Sequence, residues 1–206
     1  MIRSRSVAVA QTCPVKGDVR ANLDEHIRLA RLAEAEHAQV VVFPELSLTG
    51  YELALAEQLA FSEHDARLSP LLELAASSGM TVAVGGLVRI GSSLHIGAFI
   101  FGPDRTTGLY TKHHLGTFPP SANCESCEGT VPPPEGTVFQ PGDRNPLIRF
   151  GDNIAAMAIC ADIGRPAHAQ EAAARDANFT WRVCSSSRPT WKGKCPNSAV
   201  TPCSTA

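Results

Sequence analysis

The chain has 206 residues, 44% of them hydrophobic and 18% charged, with a net charge of −2 and seven cysteines. This is the composition of an ordinary globular protein of one domain. It excludes a basic field for nucleic acid or an anionic membrane surface, and no apolar run approaches the roughly 20 residues of a membrane span. The opening "MIRSRSVAVAQT" is too short and too broken for a signal-peptide core. A cytoplasmic protein with reduced thiols is expected, since an odd cysteine count does not suggest a disulfide framework.

In chain order, "SVAVAQ" (6–11) reads as a first strand, stopped at a Cys-Pro turn. Asp18 is placed to cap the following helix, where Val19, Leu23, Ile27 and Ala30 share one face. "AQVVVFP" (38–44) is a continuous apolar run halted by proline, the pattern of a strand buried on both faces. A second helix is expected over 64–78, ending at Gly79. Further strands are expected at 81–88, 95–101 and 154–160, and an alanine-rich helix over 165–177 with Pro166 in its first turn. Strands and helices in this order make an α/β fold. The stretch 116–146, with seven prolines and four glycines, reads as a long loop.

Three chemically capable side chains stand at strand ends. Glu45 follows the buried run and Pro44. Lys112 follows a short apolar-aromatic strand. Cys160 closes "IAAMAIC". Each alone has an ordinary explanation: a loop carboxylate, a solvated lysine, a buried thiol. Reactive groups in α/β sheets gather beyond the carboxyl ends of strands. A base, a cation and a thiol together supply acyl transfer through a thioester. The adjacent His113 and His114 make a poor metal pair, because neighbouring side chains on a strand point to opposite faces.

"FPELSLTGYE", "YTKHHL" and "AICADIGRP" resemble the three signature blocks of the carbon–nitrogen hydrolase (nitrilase) superfamily. "QTCPVKGD" resembles that family's opening strand-turn, and "EGTVFQPGD" (135–143) resembles the segment carrying a second family glutamate. The resemblance runs from about residue 6 to about residue 178. It implies a four-layer α-β-β-α sandwich and a Cys-Glu-Lys site. Carried over by block, Cys160 is the nucleophile, Glu45 the general base, Lys112 the oxyanion stabiliser and Glu135 a supporting glutamate. Glu125 and Glu128 are weaker candidates for that last role. The backbone N–H of Ala161 completes the oxyanion site. No metal and no cofactor are implied. The substrate class is a small amide, carbamoyl or nitrile compound, and the variant reading is an ammonia-supplying glutaminase domain.

The chain also departs from the family pattern. Gly164 and Ala167 stand where an arginine and a glutamate are usual, Arg165 lies one position late, and His168 reads as a surface residue. "CESC" (124–127) has no second pair to complete a zinc site. After Asn178 the sequence carries both tryptophans and three cysteines without apolar periodicity. One legal choice of codons, shifted by two bases, turns this stretch into a buried-strand pattern similar to the family's continuation. The expectation is therefore a hydrolase domain over 1–178, truncated or frameshifted, followed by a disordered tail over 179–206. On that expectation the product is unstable or weakly active, and the alternative reading is a non-catalytic fragment. An intact family member is expected to form a homo-oligomer, an expectation the altered tail weakens here.

Overall fold

The computed structural model describes residues 6–117, 133–184 and, by backbone alone, 199–204. Strand β1 (Ser6–Gln11) leads into helix α1 (Val19–Ala35), whose first turn is capped by the Asp18 carboxylate accepting from the Ala21 N–H. Strand β2 (Val40–Val42), the short helix α2 (Ala56–Leu59) and helix α3 (Ser69–Ser78) follow. Helix α3 ends on Gly79 at φ 70°, a left-handed C-terminal position that glycine takes without strain. Strands β3 (Thr81–Ile90), β4 (Ser93–Phe101) and β5 (Thr107–Thr111) form a meander. Then come β6 (Ile148–Phe150), β7 (Asn153–Ile159), helix α4 (Pro166–Ala174), β8 (Phe179–Val183) and β9 (Ala199–Ser204).

The strands make a six-stranded sheet in the order β5-β4-β3-β2-β1-β9 and a three-stranded sheet in the order β6-β7-β8. Pairing is parallel for β1–β2, β2–β3 and β7–β8, and antiparallel elsewhere. One core lies between the large sheet and helices α1 and α3, where Leu29, Ala30, Leu71 and Leu74 meet Val41, Val82 and Val84. The opposite face of the large sheet, through Val40, Val42, Ala83 and Tyr110, packs with Ala155, Met157 and Ile159 of the small sheet. Strand periodicity explains the division, because alternate residues of β2 and β7 point to opposite faces.

Three expectations are corrected. Disorder from residue 179 onward does not hold for Phe179–Val183, which pair along β7 from Ala155↔Phe179 to Ile159↔Val183. The period-2 pattern Phe179, Trp181, Val183 turns toward the core, and five residues are too short a run to stand out from a polar stretch. His168 is buried rather than on the surface, one helical turn before the buried Ala172 on the same face of α4. Cys13 is disulfide-bonded rather than a free thiol; sequence spacing does not show which cysteines a fold brings together. The motif "CESC", with Glu125 and Glu128, lies outside the described residues.

Candidate active site

Glu45 is presented by a tight turn after β2. The Leu46 backbone is left-handed at φ 53°, and the Leu48 N–H donates to the Gly85 carbonyl on β3 at 3.0 Å. Gly85 is what makes room for this turn. A Cβ there would stand 2.2 Å from the Pro44 carbonyl oxygen, 2.6 Å from Leu46 N and 2.9 Å from Glu45 Cα. Behind the turn, Ser47 Oγ donates to His26 Nε2 at 2.8 Å while His26 Nδ1 donates to the Asn22 carbonyl at 2.6 Å. Burial lowers the His26 pKa to about 4, so the imidazole is neutral and can accept from the serine.

Lys112 follows β5. Its N–H donates to the Ile96 carbonyl and its carbonyl accepts from Gly142 N, each at 2.8 Å. Its side chain is fully buried, with Nζ 2.7 Å from Glu45 Oε1 and 2.9 Å from Glu135 Oε1. Burial alone would lower the ammonium's pKa. The two carboxylates override it and hold the group above its ordinary value.

Glu135 opens a short 3-10 turn and is also buried. Besides Lys112, its Oε1 accepts from Tyr51 Oη at 2.7 Å, and its Oε2 accepts from Gly116 N at 2.6 Å. The Glu135 N–H returns to the Gly116 carbonyl at 3.1 Å. These bonds clip together the two ends of the proline-rich loop. A carboxylate buried with three donors is a satisfied anion.

Cys160 begins a 3-10 turn, Cys160–Gly164, immediately after β7, and its φ is 47°. A non-glycine residue in that region is strained, and such strain is concentrated at functional sites. The thiol is half-buried. Burial first and the Glu45 charge second push its pKa up to about 11, against the opposing pull of Lys112. Glu135 also acts on it, so Glu45, Lys112, Glu135 and Cys160 form one electrostatic cluster. Ala161 is the second residue of the same turn.

Asp162 fixes that turn from beneath. Its Oδ2 accepts from Tyr110 Oη at 2.7 Å and from Ile159 N at 3.1 Å, and its Oδ1 accepts from His114 N at 2.7 Å and His114 Nδ1 at 2.9 Å. His168 donates from Nε2 to the Met157 carbonyl at 2.8 Å. Among the described residues, His114, Asp162 and His168 hold ligand-capable atoms within 4.8 Å of one another. With four donors already on the Asp162 carboxylate, the set is a brace joining β5 to the turn rather than a cation cage.

The structure thus joins Glu45, Lys112 and Glu135 by ion pairs, and their charges reach the Cys160 thiol. Sequence reading missed Tyr51, Gly85, Gly116 and the Tyr110–Asp162–His114 brace. Tyr51 and Asp162 stand inside the blocks quoted above, the signal that could have marked them. A groove of about 520 Å³ adjoins the Glu45 turn, lined by Val42, Phe43 and Pro44 on one side and Trp181, Val183 and Cys184 on the other.

Comparison with known proteins gives the fold and the family. The chain is 27% identical over 162 residues to a glutamine-dependent NAD(+) synthetase of Thermotoga maritima, covering 78% of this chain and 26% of the synthetase. It is 30% identical over 124 residues to an aliphatic nitrilase of Sinorhizobium fredii, covering 51% of this chain and 40% of the nitrilase. Among solved structures, an amidase from Nesterenkonia sp. AN1 superposes with a TM-score of 0.70 at 24% identity, covering 87% of this chain and 66% of the amidase. The chain therefore spans less than two thirds of the length of each of these relatives. The family model for carbon-nitrogen hydrolases matches residues 6–203, past the point near residue 178 where the motif resemblance ends. With that match over nearly its whole length, the chain belongs to the carbon–nitrogen hydrolase family.

Proposed function

We propose that the protein hydrolyses a non-peptide carbon–nitrogen bond of a small amide, carbamoyl or nitrile compound through a thioester on Cys160. The observation that carries this reading is the fully buried Lys112 ammonium bridging Glu45 and Glu135 beside a thiol in a left-handed turn. Covalent chemistry at cysteine has a parallel: one solved form of the Nesterenkonia amidase carries the acetamide moiety of fluoroacetamide on its active-site cysteine.

A thiol with a pKa of about 11 is protonated at neutral pH, so it needs a base at the moment of attack. Glu45 takes the Cys160 proton as sulfur bonds to the carbonyl carbon. Two of the three Lys112 N–H donors are committed to carboxylates, and the third, with the Ala161 N–H, holds the oxyanion. Glu45 returns the proton to the leaving nitrogen, the C–N bond breaks, and ammonia or an amine departs. Water, deprotonated by Glu45, attacks the thioester. The acid leaves and the thiol is restored. Glu135 and Tyr51 keep Lys112 in place. The chain's own residues supply every proton transfer.

A second reading, favoured by the likeness to the Thermotoga synthetase, is a glutaminase domain that takes the side-chain amide of glutamine and supplies ammonia. Ammonia release from a panel of aliphatic amides, glutamine, carbamoyl compounds and nitriles separates the two. Cys160→Ala should abolish turnover of whichever substrate is found. Retained turnover in that variant would overturn the thioester reading, and a folded wild-type chain inactive on the whole panel would favour a non-catalytic fragment. Cytoplasmic placement belongs to the same proposal and is tested by cell fractionation. Among the described residues no helix is long and apolar enough to cross a membrane.

A further inference from the structure

Strands β7 and β8 run parallel with Ile159 opposite Val183. The next residue on each is a cysteine, Cys160 and Cys184, and both are free. Neighbouring strands lie about 5 Å apart, and disulfides bridge Cα atoms about 4.4–6.8 Å apart. Both cysteines stand beyond the last paired residues, where the backbone is no longer held by the ladder, and Cys160 already turns away at φ 47°. Charge on Cys184 also raises the Cys160 thiol pKa, a smaller influence than burial, Glu45 or Lys112 and one consistent with that register. The two differ in access. Cys184 is exposed and lines the open groove beside the Glu45 turn, whereas Cys160 is half-buried.

We propose that Cys184 is an oxidation site whose product is captured by Cys160, giving a reversible Cys160–Cys184 disulfide that shuts the active site. The consequence for activity rests on the reading of Cys160 as nucleophile; the pairing itself does not. Hydrogen peroxide is the oxidant. Its attack converts the exposed Cys184 thiol to a sulfenic acid and releases one water. The Cys160 sulfur then attacks the Cys184 sulfur, and Glu45 takes the Cys160 proton and passes it to the departing sulfenic hydroxyl, which leaves as a second water. Each sulfur loses one electron and the peroxide gains two. The base that prepares Cys160 for substrate thus also prepares it for disulfide formation. A mild reductant returns both thiols. Without Cys184, peroxide that reaches Cys160 meets no resolving thiol, and oxidation proceeds to the irreversible sulfinic acid.

The full chain is reduced, exposed to a modest excess of peroxide, blocked with an alkylating agent and mapped with trypsin without reduction. Arg175 and Arg182 separate the two cysteines into different peptides. A linked Cys160–Cys184 pair, two hydrogens lighter than the separate peptides, is expected. Ammonia release should fall in proportion to the linked fraction and return with dithiothreitol. Cys184→Ser should keep basal turnover, form no link to Cys160 and lose activity irreversibly under prolonged peroxide. Absence of the linked peptide from folded wild-type protein overturns the pairing, whatever the activity does. A linked peptide with unchanged turnover leaves the pairing standing and overturns Cys160 as the nucleophile.

Discussion

Replacing Glu45 by Gln separates two properties that normally move together, thiol reactivity and turnover. Gln is nearly isosteric and keeps an oxygen to accept from Lys112, so the 2.7 Å contact can survive without its charge. In the native site the Glu45 charge is the second cause, after burial, that raises the Cys160 pKa to about 11, and Lys112 is the group that opposes it. Removing the charge cuts one raising influence and leaves Lys112 with one carboxylate instead of two. Both changes favour the thiolate. A fall of about one unit in the thiol pKa is worth about 1.4 kcal/mol and raises the thiolate fraction at pH 7.5 about tenfold. Iodoacetamide should therefore alkylate Cys160 about tenfold faster in Glu45→Gln than in the native protein at that pH. Turnover should move the other way, by about 10²–10⁴-fold, because no group remains to take the thiol proton or return it to the leaving nitrogen. Alkylation is followed by mass at the Cys160 peptide, ammonia release by a coupled assay, and folding by thermal melt. Slower alkylation would refute the electrostatic account of the raised thiol pKa, and turnover within tenfold of native would refute the assignment of Glu45 as base.

Three further outcomes follow from the same geometry. Gly85→Ala should leave a folded protein with turnover reduced about 10²-fold, because the new Cβ, 2.2 Å from the Pro44 oxygen, must push the Glu45 turn away and ångström-scale displacement is costly; native kinetics in this variant would show that the turn yields freely. Lys112→Met should lower stability by about 3–5 kcal/mol near neutral pH, since Glu45 and Glu135 then face each other without their cation. Its melting temperature should partly recover as acid protonates one of them, and a pH-independent deficit would argue against carboxylate repulsion. His26 has a folded pKa of about 4 below an unfolded value of 6.5, so its contribution is complete above pH 6.5 and is lost as pH falls toward 4, in all on the order of 3 kcal/mol. Denaturant melts of His26→Gln should lack that share of the acid destabilisation; identical pH profiles would show that His26 is not held neutral in the fold.

What could be read from the sequence was local. The helix over Val19–Ala35, the stop at Gly79 and the strand ahead of Cys160 announce themselves through apolar spacing and capping residues within a few positions. Glu45, Lys112 and Cys160 sit inside contiguous blocks, and Glu135 opens one, so their types and order were visible. The groups that hold them were not. Tyr51 meets Glu135 across 84 residues of sequence, and Tyr110 meets Asp162 across 52. Nothing in the letters of β3 says that Gly85, rather than Gly86 beside it, lies against the Glu45 turn. His168 looks like surface until α4 is placed on β7, because a histidine between alanines carries no pattern of its own. These are consequences of tertiary contact, which propensity and spacing do not encode.

The short strand after Asn178 bears on how Cys160 is held. In the small sheet β7 is the central strand, with β6 on one side and β8 on the other. Ile159, the last residue before the reactive turn, is therefore fixed three ways. It pairs with Val183, it packs into the core between the sheets, and its N–H is captured by Asp162. The inward positions of β8 are Phe179, Trp181 and Val183, while Thr180 and Arg182 alternate with them. A slip of one residue would turn Thr180 and Arg182 into the core, so the apolar alternation fixes the register. The same register that steadies the turn brings Cys184 level with Cys160. Beyond the last of the quoted sequence blocks, this strand therefore contributes a packing face that positions the proposed nucleophile and a second thiol that can reach it.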